Sequence, residues 1–135
     1  MITETIKGFK LYFESNSNCF SPKYIDNGTL AMLSFVDFNI SDKVLDLGCG
    51  YGVVGILAAK FSNPKNIFLA DISKIAIQYA KRNAKLNNVE RVNIIPNDAY
   101  KNLDETDFNL ILSNSPITRT FLWQNHLSKK GLIDS

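Results

Sequence analysis

The stretch VLDLGCGYG, residues 44–52, decides the fold of this chain. An apolar run that contains one acid, Asp46, is followed by glycines at alternate positions, Gly48, Gly50 and Gly52. Glycine is favoured where the backbone needs a positive φ or must approach a ligand without a Cβ in the way. The stretch therefore predicts a strand that turns sharply into a helix, with a binding site for a nucleotide-like ligand at the turn.

Two kinds of ligand fit such a turn. Gly50, Gly52 and Gly55 also give the G-x-G-x-x-G spacing of a dinucleotide-binding turn, with Asp71 about 20 residues further on. Asp46 argues against a dinucleotide, because its negative carboxylate would repel the negative pyrophosphate. A ligand with a cationic centre and no phosphate better suits Asp46 and a second acid further along the chain, Asp98. We favour that ligand, and keep NAD and a turn that binds nothing as alternatives.

Length and composition indicate one soluble globular domain. The 135 residues are 45% hydrophobic and 21% charged, which is enough apolar material for a core. No run approaches the roughly 18 apolar residues of a membrane span, and the N-terminus has no apolar signal core, so we expect a cytoplasmic protein without membrane contact. Two cysteines, Cys19 and Cys49, are too few for a disulfide framework. A net charge of +2 leaves nucleic acid open as a partner.

Apolar runs alternate with helical patterns along the chain, which is typical of a parallel sheet covered by helices. The predicted strands are residues 44–47, 67–70, 92–95 and 108–113. A helix is predicted at residues 53–61, and a second one follows its N-cap Ser73 and ends near Asn87. Upstream, alternating apolar residues at 9–13 predict a short strand of a hairpin, and a helix is expected from Thr29 to Phe35.

The glycine stretch resembles motif I of the S-adenosylmethionine-dependent methyltransferases with a Rossmann-like fold. The matching residues are Asp46, Gly48, Gly50 and Gly52. An upstream "F-S … D-x-G-T" pattern resembles the lead-in of the small-domain methyltransferases that modify ribosomal RNA, where it borders the cofactor pocket. Its residues are Phe20, Ser21, Pro22, Asp26, Gly28 and Thr29. The resemblance implies an α/β, Rossmann-like methyltransferase domain with S-adenosylmethionine as cofactor.

The same resemblance gives roles to the acids at the ends of the predicted strands. Asp71 would accept hydrogen bonds from the two ribose hydroxyls, and Asp98 from the adenine amino group. Read from the residues alone, Asp71 is also an ordinary acid before a helix, and Asn97-Asp98 is also a routine turn pair. The residues that the resemblance assigns to the cofactor are Asp46, Gly48, Cys49, Gly50, Gly52, Asp71, Ile72, Asn97, Asp98, Ala99 and Asn114.

The end of the fourth strand, Asn114-Ser115-Pro116-Ile117, bears on the chemistry. It resembles the N/D-P-P-Y/F motif of methyltransferases that act on planar amino groups. In such enzymes the Asn oxygen and a neighbouring carbonyl accept hydrogen bonds from the target NH₂. The resemblance therefore implies Asn114, Ser115 and Pro116 as catalytic residues, and Asn114 and Ile117 as substrate contacts. Ser115 departs from the motif, which has a proline there.

The tail after Pro116 is unlike the family, and only nineteen residues remain. The sequence predicts a helix that Thr120 caps and that ends at Gly131, with no strand after it. Its apolar residues are Phe121, Leu122, Trp123 and Leu127. The domain would then be truncated, the sheet would lack its C-terminal strands, and the fourth strand would have an unpaired edge. We expect the tail or a second copy of the chain to cover this edge, and favour a homodimer.

These patterns predict a single domain, with a lead-in and cover at residues 1–40, a cofactor-binding core at 41–116 and a divergent tail at 117–135. Its expected function is S-adenosylmethionine-dependent N-methylation of guanine amino groups in ribosomal RNA. The alternatives are a catalytically inactive remnant that binds a cofactor or a partner and, less favoured, an NAD-binding domain. The one histidine, His126, has no carboxylate or cysteine partner at ligand spacing, so no metal is expected.

Overall fold

The chain begins with an antiparallel hairpin of strands β1 (Ile2–Ile6) and β2 (Phe9–Phe13). The structure is a computed structural model that describes residues 1–96, 107–113, 120–124 and 130–134. Lys7 and Gly8 join the two strands with φ of 50° and 87°, as a two-residue hairpin loop requires. Leu11 is fully buried, so the predicted alternation in β2 is confirmed.

Helix α1 (Asn27–Ser34) follows the lead-in and starts two residues before the predicted position. Asp26 is its N-cap, and one carboxylate oxygen accepts a hydrogen bond from the Thr29 backbone N–H at 3.0 Å. The prediction is wrong at Phe35, which lies at the C-cap with 81% of its surface exposed. The reason is that Phe35 lies two positions after the buried Leu33, which is about 200° around an α-helix and so away from the buried face.

Four parallel strands form the centre of the main sheet, and they confirm the predicted α/β fold. They are β3 (Val44–Leu47), β4 (Ile67–Ala70), β5 (Asn93–Ile95) and β6 (Leu110–Leu112), in the spatial order β5-β4-β3-β6. The bounds of β3 and β4 are as predicted, whereas β5 and β6 are shorter. Helices α2 (Val53–Phe61) and α3 (Lys74–Leu86) follow β3 and β4. Helix α2 packs on β3 and β4, and both helices contact β2.

The tail forms two strands, β7 (Thr120–Gln124) and β8 (Lys130–Asp134), so the helix predicted there is wrong. Strand β7 pairs antiparallel with β6, and β8 pairs antiparallel with β7. The local apolar spacing gave a helical pattern, but Thr, Phe and Trp also favour strands, and β6 offers an unpaired edge. Because β7 occupies that edge, the reason for a homodimer through β6 is removed.

The strand order places the start of the glycine stretch at a topological switch point. From β3 the chain continues to β4 and β5 on one side, and β6 lies on the other side. Ligands of open α/β sheets bind beyond the carboxyl ends of the strands at such a point.

Within the described residues, no helix combines the length and the apolar character needed to cross a bilayer.

Candidate functional site

A cavity of about 230 Å³ lies at the carboxyl end of β3, between the glycine turn and the lead-in. Its walls come from the lead-in, from the turn and from the starts of α2 and α3. The lining residues are Asn18, Cys19, Phe20, Ser21, Ile25, Asp26, Thr29, Asp46, Gly48, Cys49, Gly50, Tyr51, Val53, Val54, Asp71, Ser73 and Ala76. The structure therefore brings the motif I stretch and the lead-in pattern together around one space.

The three alternate glycines all have positive φ, which confirms the conformational argument made from the sequence. The φ angles are 74° at Gly48, 56° at Gly50 and 109° at Gly52. Gly52 is the N-cap of α2, and a Cβ there would also lie 2.9 Å from Ile56 Cδ1. The turn is tied to β4, because the N–H of Gly48 donates to the carbonyl oxygen of Ala70 at 2.8 Å.

Asp46 lies on β3 beneath the turn and joins it to the first turn of α2. One carboxylate oxygen accepts a hydrogen bond from the Gly55 N–H at 2.9 Å. Burial raises the pKa of Asp46 from 3.8 to about 7; the bond from Gly55 opposes this shift, and the negative charge of Asp71 adds to it. Near neutral pH this carboxyl group is therefore poised between its neutral and charged forms.

Asp71 follows β4 and holds the glycine turn from the other side. One of its carboxylate oxygens accepts from the Gly50 N–H at 2.9 Å, and the other accepts from the Ser73 N–H at 2.9 Å. Each oxygen of a carboxylate has about two lone pairs, so both keep acceptor capacity toward the cavity. Ser73 is the N-cap of α3, as predicted.

Several backbone N–H groups around the glycine turn already donate to acceptors inside the protein. The N–H of Gly50 and the N–H of Gly55 donate to carboxylates, as described above. The N–H of Cys49 donates to Ala70 and that of Gly52 to Cys49, at 2.9 and 3.0 Å. The charge of Asp71 at this position repels a pyrophosphate and attracts a cation or hydroxyl donors, and Asp46 adds to this effect when it is ionised.

Sequence reasoning missed two residues that support the turn, Tyr51 and Asn83. The Tyr51 hydroxyl donates to the Ser21 carbonyl oxygen at 3.0 Å, and its pKa is raised to about 12, mainly by burial. The side chain of Asn83 donates to the Tyr51 carbonyl oxygen at 2.8 Å. The sequence gives one weak signal, because asparagine is a poor helix former and Asn83 lies inside α3, but this signal does not identify the partners.

Both cysteines line the cavity and both are free. Burial raises the pKa of the Cys49 thiol well above its usual value, and the charges of Asp46 and Asp71 raise it further. The raised pKa favours the neutral thiol of Cys49 over the reactive thiolate.

The structure brings together five of the predicted cofactor residues and places two others elsewhere. The five that line the cavity are Asp46, Gly48, Cys49, Gly50 and Asp71. Gly52 caps α2, and Ile72 is 79% exposed outside the cavity wall. The remaining predicted site residues lie outside the described residues. They are Asn97, Asp98, Ala99, Asn114, Ser115, Pro116 and Ile117. Among the residues that the structure describes, no cluster of His, Cys, Asp or Glu is arranged to hold a metal ion.

The curated relatives that the chain resembles include enzymes that act on ribosomal RNA. It is 38% identical to ribosomal RNA small subunit methyltransferase C of Hamiltonella defensa over 97 residues, which are 72% of this chain and 28% of the relative. It is 34% identical to the uncharacterized protein YbxB of Bacillus subtilis over 107 residues, 78% of this chain and 53% of that protein. The chain thus spans between about a quarter and about half of these relatives.

A solved structure has a similar fold. The T. thermophilus 16S rRNA methyltransferase RsmC, in complex with AdoMet and guanosine, aligns with a TM-score of 0.72 at 18% identity. The alignment covers 85% of this chain and 32% of that one. At this identity the likeness supports the fold. The sequence model of the methyltransferase small domain matches residues 10–130. Since the match spans most of the sequence, the chain belongs to the methyltransferase small domain family.

Proposed function

We propose that the cavity binds S-adenosylmethionine and that the protein transfers its methyl group to guanine amino groups of ribosomal RNA. The observation that carries the proposal is the pair of acids, Asp46 and Asp71, on the glycine turn. Asp71 accepts the N–H of Gly50 and presents negative charge where a dinucleotide would place its pyrophosphate, and Asp46, which accepts the N–H of Gly55, adds charge when it is ionised. A sulfonium, an ammonium and ribose hydroxyls suit that surface.

The roles of the two acids follow from their geometry. Asp71 lies at the cavity wall with acceptor capacity on both oxygens, and would hold the ribose hydroxyls. Asp46 is 3% exposed, and its charged form would be favoured by a cationic ligand. Family membership and the AdoMet bound in the RsmC structure support the same ligand, and make NAD the weaker candidate.

RNA as the substrate class is supported by the names of the relatives and by the charge of α3. The helix contains four cationic residues and no acidic one. All four are exposed, and they are Lys74, Lys81, Arg82 and Lys85. Exposed cations along one helix can contact RNA phosphates.

We also propose a cytoplasmic location for the protein. We keep the proposed division of its single domain into a lead-in and cover at residues 1–40, a cofactor-binding core at 41–116 and a divergent tail at 117–135.

For the chemistry we propose that Asn114 accepts hydrogen bonds from the target amino group and aims its lone pair at the methyl carbon. In the sequence Asn114 lies two residues after β6, and Asn97 two residues after β5. Both strands are parallel to β3, so their carboxyl ends share the edge of the sheet that carries the cavity. The bound cofactor supplies an electrophilic methyl group. The protein's part is then positioning and exclusion of water, and the proton is lost to solvent.

Two measurements test the proposal. Calorimetric titration should show binding of S-adenosylmethionine and S-adenosylhomocysteine, and none of NAD. Labelled methyl groups should then pass from S-adenosylmethionine to 16S ribosomal RNA, with the label recovered in guanine. Binding without transfer would favour the catalytically inactive remnant instead. Binding of NAD alone would overturn the proposal.

A further inference from the structure

Helix α3 and its C-cap present two buried asparagines, Asn83 and Asn87, to the backbone of the N-terminal hairpin segment. The side-chain oxygen of Asn87 accepts from the Tyr12 N–H at 3.0 Å, and its amide nitrogen donates to the Tyr12 carbonyl at 2.7 Å. Asn83 does the same for Glu14, at 2.8 and 2.9 Å. Each side-chain amide therefore pairs with both backbone groups of one residue, as a residue of a neighbouring strand would.

The spacing of the two asparagines matches the spacing of the backbone groups that they bind. Positions four apart on an α-helix are separated by about 6 Å along its axis. Positions two apart on a strand are separated by about 6.8 Å. Tyr12 lies in β2, which pairs with β1 on its other side, and Glu14 follows two residues later, just after the end of β2. The two asparagine side chains thus take the place of the backbone of a neighbouring strand along this side of the hairpin.

Asn83 makes one further bond that Asn87 does not make. Its amide nitrogen also donates to the carbonyl oxygen of Tyr51, between Gly50 and Gly52 in the turn. The ring of Tyr51 packs against Phe13 of β2, with 5.9 Å between the ring centroids. The N-terminal segment and the glycine turn are therefore joined through a side chain that is 0% exposed.

We propose that Asn83 is a positioning residue that fixes the glycine turn to the hairpin, so that ligand affinity depends on the docking of β2 onto α3. The turn needs such support, because its glycines have positive φ and no side chains with which to pack. The bonds to Ala70 and Asp71 hold the turn on the side of β4, and Tyr51 is the residue through which it is joined to α3 and the hairpin. The inference rests on the proposed function only for the identity of the ligand, S-adenosylmethionine or its product.

The test compares Asn83→Ala with Asn87→Ala, which loses the same pair of bonds to the hairpin and a bond to the Asn83 carbonyl oxygen, but no bond to the turn. Affinity for S-adenosylhomocysteine is measured by calorimetry, and amide hydrogen exchange is followed at residues 50–53 in the free protein. Asn83→Ala should weaken binding by about tenfold or more and speed exchange in the turn. Asn87→Ala should change affinity by less than about threefold. Equal effects of the two variants would overturn the proposal.

A second readout uses the reciprocity of coupled sites. If the turn and β2 are linked, S-adenosylhomocysteine should slow amide exchange at Leu11 and Phe13 in the unmodified protein and in Asn87→Ala. The slowing should be smaller in Asn83→Asp, which keeps the side-chain acceptor for the Glu14 N–H and loses the N–H donors to the Glu14 and Tyr51 carbonyl oxygens. This variant decides the matter if Asn83→Ala does not fold, since an undiminished slowing would contradict the proposal.

The experiments distinguish a wrong ligand from a wrong role of Asn83 in holding the glycine turn. If the unmodified protein binds no S-adenosylhomocysteine, the proposed function is wrong. Exchange at residues 50–53 in the free variants then still tests Asn83. Unchanged exchange in both variants would show that Asn83 does not hold the turn.

Discussion

At the residue scale, Asp46 and Asp71 each hold part of the backbone by a hydrogen bond and also line the cavity. Each accepts a backbone N–H from the glycine stretch or from α2 at 2.9 Å, and each lines the space in which a ligand would bind. Substitution of either acid therefore changes the shape of the turn as well as the charge of the site. Controls for each variant must separate these two effects.

Asp71→Ala should weaken S-adenosylmethionine binding by about 1–3 kcal/mol, the scale of hydrogen bonds lost to a charged group. The measurement is calorimetric titration. Asp37→Ala is the control, because Asp37 is exposed and lies outside the cavity wall. Unchanged affinity in Asp71→Ala would remove Asp71 from the site.

The raised pKa of Asp46 predicts pH-dependent binding. In the folded protein this carboxyl group keeps its proton up to about pH 7, against 3.8 for an ordinary aspartate. The stability that this proton contributes is fully present below about pH 4 and is lost as the pH rises through about 7. A cationic ligand prefers the charged carboxylate, so affinity should rise by about tenfold between pH 6 and pH 8.

Asp46→Asn is the comparison that isolates this contribution. The amino group of the ligand titrates in both proteins, so the difference between their pH profiles reports Asp46 alone. The asparagine variant should lack the rise. Parallel profiles would show that Asp46 does not change its charge when the ligand binds.

Asn114→Ala should lower the rate of methyl transfer by about a hundredfold or more and leave cofactor affinity nearly unchanged, because Asn114 is proposed to orient the acceptor amine. Single-turnover transfer of labelled methyl groups to 16S ribosomal RNA, together with calorimetry, measures both quantities. An equal loss of rate and affinity would assign Asn114 a structural role instead.

At the scale of elements, close packing of α2 on β4 depends on Gly55. A Cβ at this position would lie 2.6 and 2.7 Å from the two methyl carbons of the fully buried Leu69. Gly55→Ala should therefore destabilise the protein by about 1–3 kcal/mol in denaturant unfolding, as overpacking does. The double variant Gly55→Ala with Leu69→Ala should lose less stability than the sum of the single variants. Strict additivity would contradict the steric explanation.

At the scale of the whole molecule, β7 closes the edge of the parallel strands that the sequence had left open. Amide protection at Ile111 and Leu112 should therefore not depend on protein concentration. Leu122→Pro introduces a residue that fits poorly in a strand, and should reduce this protection and promote self-association in light scattering. Protection that grows with protein concentration in the unmodified chain would show pairing between molecules.

The candidate site could be predicted where the argument rested on local backbone chemistry. Alternate glycines need positive φ wherever they stand, and acids after parallel strands meet at one edge of the sheet. Tyr51 and Asn83 could not be found in this way. Their partners, Ser21 and Glu14, lie 30 and 69 residues away along the chain.

The sequence by itself determined β3, β4 and α2. Their bounds follow from signals that lie close together in the chain, namely the spacing of apolar residues, the glycines and the residues that end the helix. Only the tertiary structure decided the state of the tail. The run at residues 120–124 has a spacing that fits a helix and side chains that fit a strand, so local preference is nearly balanced. The unpaired backbone groups along β6 decide between the two states. Pairing with β6 gives the tail hydrogen bonds along a whole strand and stabilises both segments, whereas a short helix is only marginally stable by itself.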